Sequence, residues 1–125
     1  MALKPSYNDK LHLPGLSKTE ILILALEASQ KLEWNIEEVT PEGARFEVPF
    51  NMYSHGEEIT FTIEPESDGE VAVRSQSSSV QFVDYGKNRK NIQKLRETME
   101  EIKTSLTPEE LTQKAKDFEE ECNRP

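Results

Sequence analysis

The stretch Ile59-Thr60-Phe61-Thr62-Ile63-Glu64-Pro65-Glu66-Ser67-Asp68-Gly69-Glu70-Val71-Ala72-Val73 decides the fold. Ile59, Phe61 and Ile63 alternate with threonines. Pro65 and Asp68-Gly69 supply turn chemistry, and Val71 and Val73 resume the alternation. Two alternating runs joined this way predict an antiparallel hairpin with one buried face. Ser75 and Ser77 prolong the second run. Upstream, Ala44, Phe46, Val48 and Phe50 alternate with Arg45, Glu47 and Pro49 and predict another strand. Pro49 has no amide to donate, so it marks a strand end or an edge. Trp34, Ile36 and Val39 mark a further strand, separated from it by the turn Thr40-Pro41-Glu42-Gly43. Val80 and Phe82 fall on the opposite parity to Val71 and Val73, which predicts a bend or bulge near residues 77–79. Leu11-His12-Leu13, ahead of Pro14-Gly15, is a candidate for one more short edge strand.

Helices flank this block. Ser17-Lys18-Thr19-Glu20 has the form of a capping box, and Ile21, Leu24, Ala25, Ala28 and Leu32 follow at helical spacing. Leu22 and Leu26 widen the stripe, so it needs a broad partner, and a sheet face would serve. A second helix is predicted from about Asp84 to Lys103, with Asp84 as its cap and Ile92, Leu95, Met99 and Ile102 as a narrow apolar stripe. Thr107-Pro108-Glu109-Glu110 opens a third, because Thr107 caps, Pro108 takes the first helical position and Glu110 closes the box. Its apolar face is thin: Leu111, Ala115, Phe118 and Cys122. This helix either packs at the periphery or projects away.

The order predicts a two-layer α+β sandwich. Its antiparallel sheet has four strands, five if the N-terminal one forms, and two helices cover one face. The C-terminal helix is additional. The expected division is an N-terminal segment 1–16, an α+β domain 17–103, and a C-terminal helix or connector 104–125. The chain has 125 residues, enough for one domain with a modest core. Its mean hydropathy of -0.72 implies thin layers and a well-wetted surface.

Composition removes several function classes. The longest unbroken apolar run is Ile21 to Leu26, whereas a bilayer span needs about 20 such residues. The N-terminus lacks an apolar signal core followed by a small-residue cleavage site. The single cysteine, Cys122, cannot form an internal disulfide, which fits a reducing, cytoplasmic setting. His12 and His55 stand far apart and form no zinc-ligand spacing. The five glycines form neither a dinucleotide fingerprint nor a phosphate loop, so no cofactor is implied. A net charge of -9 repels nucleic acid.

Three features could still carry chemistry. Ser75, Ser77, Ser78 and Ser79 precede the second helix, and Lys87, Arg89, Lys90, Lys94 and Arg96 decorate it. With Gly86 at the turn, Ser77, Lys87, Arg89 and Lys90 are candidates for an anion site at the helix N-terminus. Against this, Asp84 would occupy the same amides, and serines at a strand end satisfy local backbone groups. A hydrolase would have to join one of these serines with His55 and Asp84, but no nucleophile-elbow motif is present and no enzyme is expected. The third feature is Phe50-Asn51-Met52-Tyr53-Ser54-His55-Gly56, apolar where a loop is normally polar. Phe50, Met52, Tyr53 and His55 either dock a partner protein or cap the end of the sheet under a helix.

Leu32-Glu33-Trp34-Asn35-Ile36, Arg74-Ser75-Gln76-Ser77 and Asp84-Tyr85-Gly86-Lys87-Asn88 together resemble a group of small bacterial domains of unknown function. The shared pattern is Leu-x-Trp after the first helix, a serine-rich last strand, and Asp-x-Gly-x-Asn at the start of the last helix. The likeness covers about residues 17–103. It implies the fold but no activity, since such domains have no established catalytic residues. It also implies that this segment could belong to a longer chain, because similar domains occur attached to rhomboid-like or other membrane proteins. The expected function is a non-catalytic, soluble interaction or accessory domain with an unidentified protein partner. The competing expectation is a small-ligand or anion-binding module at the second helix's N-terminus.

Overall fold

Alternation in the central hairpin places every second side chain under the helices. A computed structural model describes residues 5–49, 56–77 and 86–123. Strand β4 (Glu57–Ile63) buries Glu57, Ile59, Phe61 and Ile63 and exposes the residues between them. β5 (Glu70–Ser77) buries Val71, Val73, Ser75 and Ser77. β3 (Gly43–Val48) buries Ala44 and Phe46 on the same face. The β4–β5 turn uses left-handed backbone at Gly69 (φ 77°) and Glu66 (φ 60°). A Cβ at Gly69 would run into the Leu13 carbonyl, so both conformation and space require glycine there.

Two edge strands complete an open five-stranded antiparallel sheet of order β1-β5-β4-β3-β2. β1 (Ser6–His12) pairs with β5 along its whole length, from Ser6 opposite Gln76 to His12 opposite Glu70. It is longer than the expected Leu11-His12-Leu13 and lies beside the last strand. β2 (Asn35–Thr40) forms the other edge against β3. Trp34 precedes this strand rather than belonging to it. It is buried, with its ring 6.4 Å from that of Phe46. Ile36 lies opposite Phe46 and Val39 opposite Ala44, so both face the inner side although an odd number of positions separates them. A bulge between Ile36 and Glu38 absorbs the extra residue.

Helix α1 (Lys18–Lys31) carries the chain from the β1 edge to the β2 edge. Its capping box forms as expected, with Ser17 and Glu20 satisfying each other's amides. Its C-terminus closes with paired bonds: the Glu33 amide donates to Gln30 O and the Trp34 amide to Ser29 O. This is a Schellman-type cap, with Glu33 left-handed at φ 62°. The Leu-x-Trp pattern thus stops a helix and delivers Trp34 into the core.

All of Ile21 to Leu26 is buried. One sheet face could not achieve this. α1 also packs against α2 (Lys87–Ser105) and α3 (Pro108–Cys122). α3 therefore does not project. Leu111 and Ala115 are buried and Phe118 half-buried, whereas Cys122 is exposed and takes no part in the apolar face. Polar contacts fasten the same interface: Thr19 Oγ1 donates to Glu119 (2.7 Å), and Lys114 pairs with Glu27 (3.3 Å). α2 lies over β5 and β1. Its cap position is Gly86, at φ 75°, and not Asp84, which lies outside the described residues. Val80 and Phe82 lie outside them too, with the bend expected there.

Candidate binding site at one end of the sheet

The inner face of the sheet changes from apolar to polar towards the start of α2. Val71, Ile63 and Leu11 form one end, followed by Val73 and Phe61 in the middle. Ser75 then stands beside Ile59, and Ser77 beside Glu57. The inward face of α2 changes in the same direction. Met99, Leu95 and Ile92 are buried, and the next positions at helical spacing back along the helix are Asn91 and Asn88, also buried.

These five polar side chains are bonded to one another. Ser75 Oγ donates to Asn88 Oδ1 at 2.7 Å. Asn88 Nδ2 donates to Ser77 Oγ and to the Pro5 carbonyl, both at 3.1 Å. Asn91 Nδ2 donates to Glu57 Oε1 at 2.8 Å and to Ser75 Oγ at 3.3 Å. The Ser77 amide donates to the Pro5 carbonyl at 2.9 Å. Glu57 is only 2 % exposed. A carboxylate this deep is tolerable only with donors aimed at it, and a nearby helix N-terminus adds favourable potential. The cluster clamps β1, β4, β5 and α2 at one end of the molecule.

Two of the serine-rich motif's residues, Ser75 and Ser77, thereby meet the Asn88 of the Asp-x-Gly-x-Asn motif. Glu57 and Asn91 were not candidates on the sequence. Their signal was nonetheless present: Glu57 shares the parity of Ile59 and Phe61, and Asn91 is four residues before Leu95.

The candidate anion-site residues divide. Ser77 is buried within the cluster. Gly86 caps α2 and accepts the Lys90 amide at 3.0 Å. Lys87 is half-buried, and Arg89 and Lys90 are exposed. Arg89 also lends positive potential to Asp9 on β1, whose carboxyl is held below its ordinary range chiefly by a hydrogen bond from Arg96 and then by the Lys10 amide. Phe50, Met52, Tyr53 and His55 lie outside the described residues, as do Ser78, Ser79 and Asp84. The strand residues that flank 50–55 and precede 78–85 are described, however. Val48 is registered opposite Glu57, and Glu57 opposite Ser77. Neighbouring strands are about 4.8 Å apart, so the two segments that the sequence marks separately are rooted side by side in one row.

The opposite sheet face is open. Asn8, Lys10, Thr60, Thr62, Ala72 and Arg74 surround a shallow depression of about 540 Å³ there. Among the described residues, no three His, Cys, Asp or Glu side chains come together as a metal-holding group, and no helix is long and apolar enough to cross a membrane.

The family model described as "Protein of unknown function (DUF1499)" matches residues 6–99. The match takes in all five strands, α1 and most of α2, and leaves out α3. No curated protein matches the chain.

Proposed function

Because this chain belongs to the DUF1499 family of proteins of unknown function, we propose its role from its geometry: a non-catalytic binding domain that recognises a protein partner at the end of the sheet where residues 50–55 and 78–85 are rooted. The observation that supports this reading is the single row Val48–Glu57–Ser77. It brings the described strand ends that flank the Met- and Tyr-containing residues 50–55 and the residues 78–85 into adjacent positions, beside the cluster of interlocked polar side chains. Such a cluster holds β4, β5 and α2 firmly together, because each broken bond would leave a buried polar group. Met and aromatic residues are the side chains that enrich interface cores. The Ser75 and Ser77 hydroxyls are engaged with Asn88, as expected of a scaffold rather than a nucleophile. In the same reading the domain works as a cytoplasmic appendage of a membrane protein.

Replacing Met52 and Tyr53 together by serine tests the docking surface. Unchanged urea stability with loss of the partner that co-purifies with the intact chain sustains it. A large loss of stability assigns these residues to packing instead. Fractionation of source cells tests the appendage: a membrane-bound band much larger than this chain supports it, and a soluble band of this chain's own size removes it.

The competing reading is an anion-binding module at the start of α2. It is favoured by Lys87, Lys90 and Lys94, which make no ion pair among the described residues. The Ser77 hydroxyl, buried and bonded to Asn88 within the cluster, opposes it. Shifts of the Gly86 to Arg89 amides in millimolar phosphate would favour this module; their absence removes it.

A further inference from the structure

The two edges of the sheet are finished differently. At the β1 edge, Leu11 and Leu13 are buried, and Arg96 of α2 reaches over to Asp9 at 2.7 Å. The apolar layer is sealed there. At the β2 edge it is not. Ile36 and Val39 are 39 % and 40 % exposed and are the large apolar side chains left open among the described residues. Both face the inner side of the sheet, opposite Phe46 and Ala44. Among the described residues, the layer under α1 therefore runs out to the edge without a closing element.

The charged side chains on β2 itself and on the residues just before and after it, Glu33 to Glu42, are all acidic. Glu33, Glu37, Glu38 and Glu42 are all exposed along or beside β2. Glu33, Glu37 and Glu42 make no ion pair among the described residues, and Glu38 has only a loose one to Arg45 at 3.8 Å. Acids and a bulge are the usual protection of an edge against promiscuous pairing. Here they protect selectively. A second β2 edge would bring four more acids against these four, so self-pairing is opposed, while a basic strand is attracted.

We propose that β2 accepts an extended basic segment of a partner protein as a sixth strand, with Lys or Arg towards the open face and apolar residues over Ile36 and Val39. Main-chain pairing supplies the attachment, and the alternation of charge and apolar residues supplies the choice of partner. The proposal uses β2 residues alone and none of residues 50–55, so its test stands or falls independently of the docking site proposed above.

The test uses the full ¹⁵N-labelled chain and two synthetic six-residue peptides, one alternating lysine with valine and one alternating glutamate with valine. The lysine peptide is expected to shift the amides of Asn35–Thr40 and slow their exchange, with little response to the glutamate peptide. Charge reversal by Glu37→Lys with Glu38→Lys, both exposed, is expected to weaken binding by about tenfold or more. Val39→Ser, which leaves the charge unchanged and removes the apolar contact, is expected to weaken it as well. No response at β2 to millimolar lysine peptide overturns the proposal. So does an equal response to both peptides, a response centred on the Arg74 face or on α2, or sedimentation showing that the chain dimerises through β2.

Discussion

Replacing Asn88 by alanine removes the centre of the polar cluster without adding bulk. The side chain is fully buried and, among the described residues, hydrogen-bonds with Ser75, Ser77 and the Pro5 carbonyl. Each such bond contributes about 1 kcal/mol net, and a buried group left unpaired costs about 1–3 kcal/mol. The Ser75 hydroxyl loses its acceptor, although it still accepts from Asn91. The sum is a loss of about 3 kcal/mol, a large part of the roughly 5–15 kcal/mol available to a domain. At this chain length that corresponds to a fall in Tm of about 10–15 °C. Thermal unfolding followed by circular dichroism, with urea denaturation alongside, measures it. Asn88→Asp separates hydrogen bonding from shape. It keeps the acceptor for Ser75 but turns the donor facing Pro5 into an anionic oxygen, so it should be worse than alanine at pH 7. The introduced carboxyl has a folded pKa raised by burial. Its penalty is therefore full above that value and is relieved as pH falls towards the unfolded value of about 4. A loss below about 1 kcal/mol for Asn88→Ala would refute the reasoning, because it would mean that the cluster does not lock β1, β5 and α2 together. So would an aspartate variant insensitive to pH.

Three other outcomes follow from local geometry. The carboxyl of Asp9 is depressed first by the Arg96 hydrogen bond, so this pair stabilises the fold above the unfolded pKa, and the contribution is lost as pH falls through the folded pKa. Arg96→Gln should raise the Asp9 pKa measured by NMR and flatten the acid limb of stability, but both side chains are more than a third exposed, so a double-mutant cycle should stay below about 1 kcal/mol. Glu33→Gly should stabilise by about 0.5–1 kcal/mol in urea denaturation, since Glu33 holds φ 62° at the end of α1; no gain would show that the cap is unstrained. Gly69→Ala should cost at least about 2 kcal/mol, against about 1 kcal/mol for Gly15→Ala, because both have positive φ but only Gly69 meets a backbone carbonyl; equal losses would show that the contact is relieved cheaply.

The individual elements were legible wherever one local rule fixes them. Period-two alternation located β3, β4 and β5, and the boxes at Ser17 and Thr107 located the starts of α1 and α3, because each signal lies within a few residues of chain. The start of α2 was misplaced on Asp84 because an acidic residue before a helix is a good cap in general, while Gly86 reaches the cap position through its own left-handed backbone. Spacing alone puts Cys122 on α3's apolar face, but burial fades along that face from Leu111 and Ala115 through half-buried Phe118 to exposed Cys122.

What the sequence by itself determined is therefore the class of the fold and which side chains alternate inward. Only the tertiary structure decided how they meet. Strand pairing is long-range, and nothing near β1 specifies that it lies beside β5, over 60 residues later. That pairing brings Pro5 to Asn88, and the register of β4 between β3 and β5 brings Glu57 to Ser77 and roots two distant segments in one row. The continuous burial of α1 depends in the same way on α3 returning across it, and the exposure of Ile36 and Val39 on β2 being an edge. Burial is a property of all the neighbours a residue acquires, whereas periodicity reports only the direction in which it points.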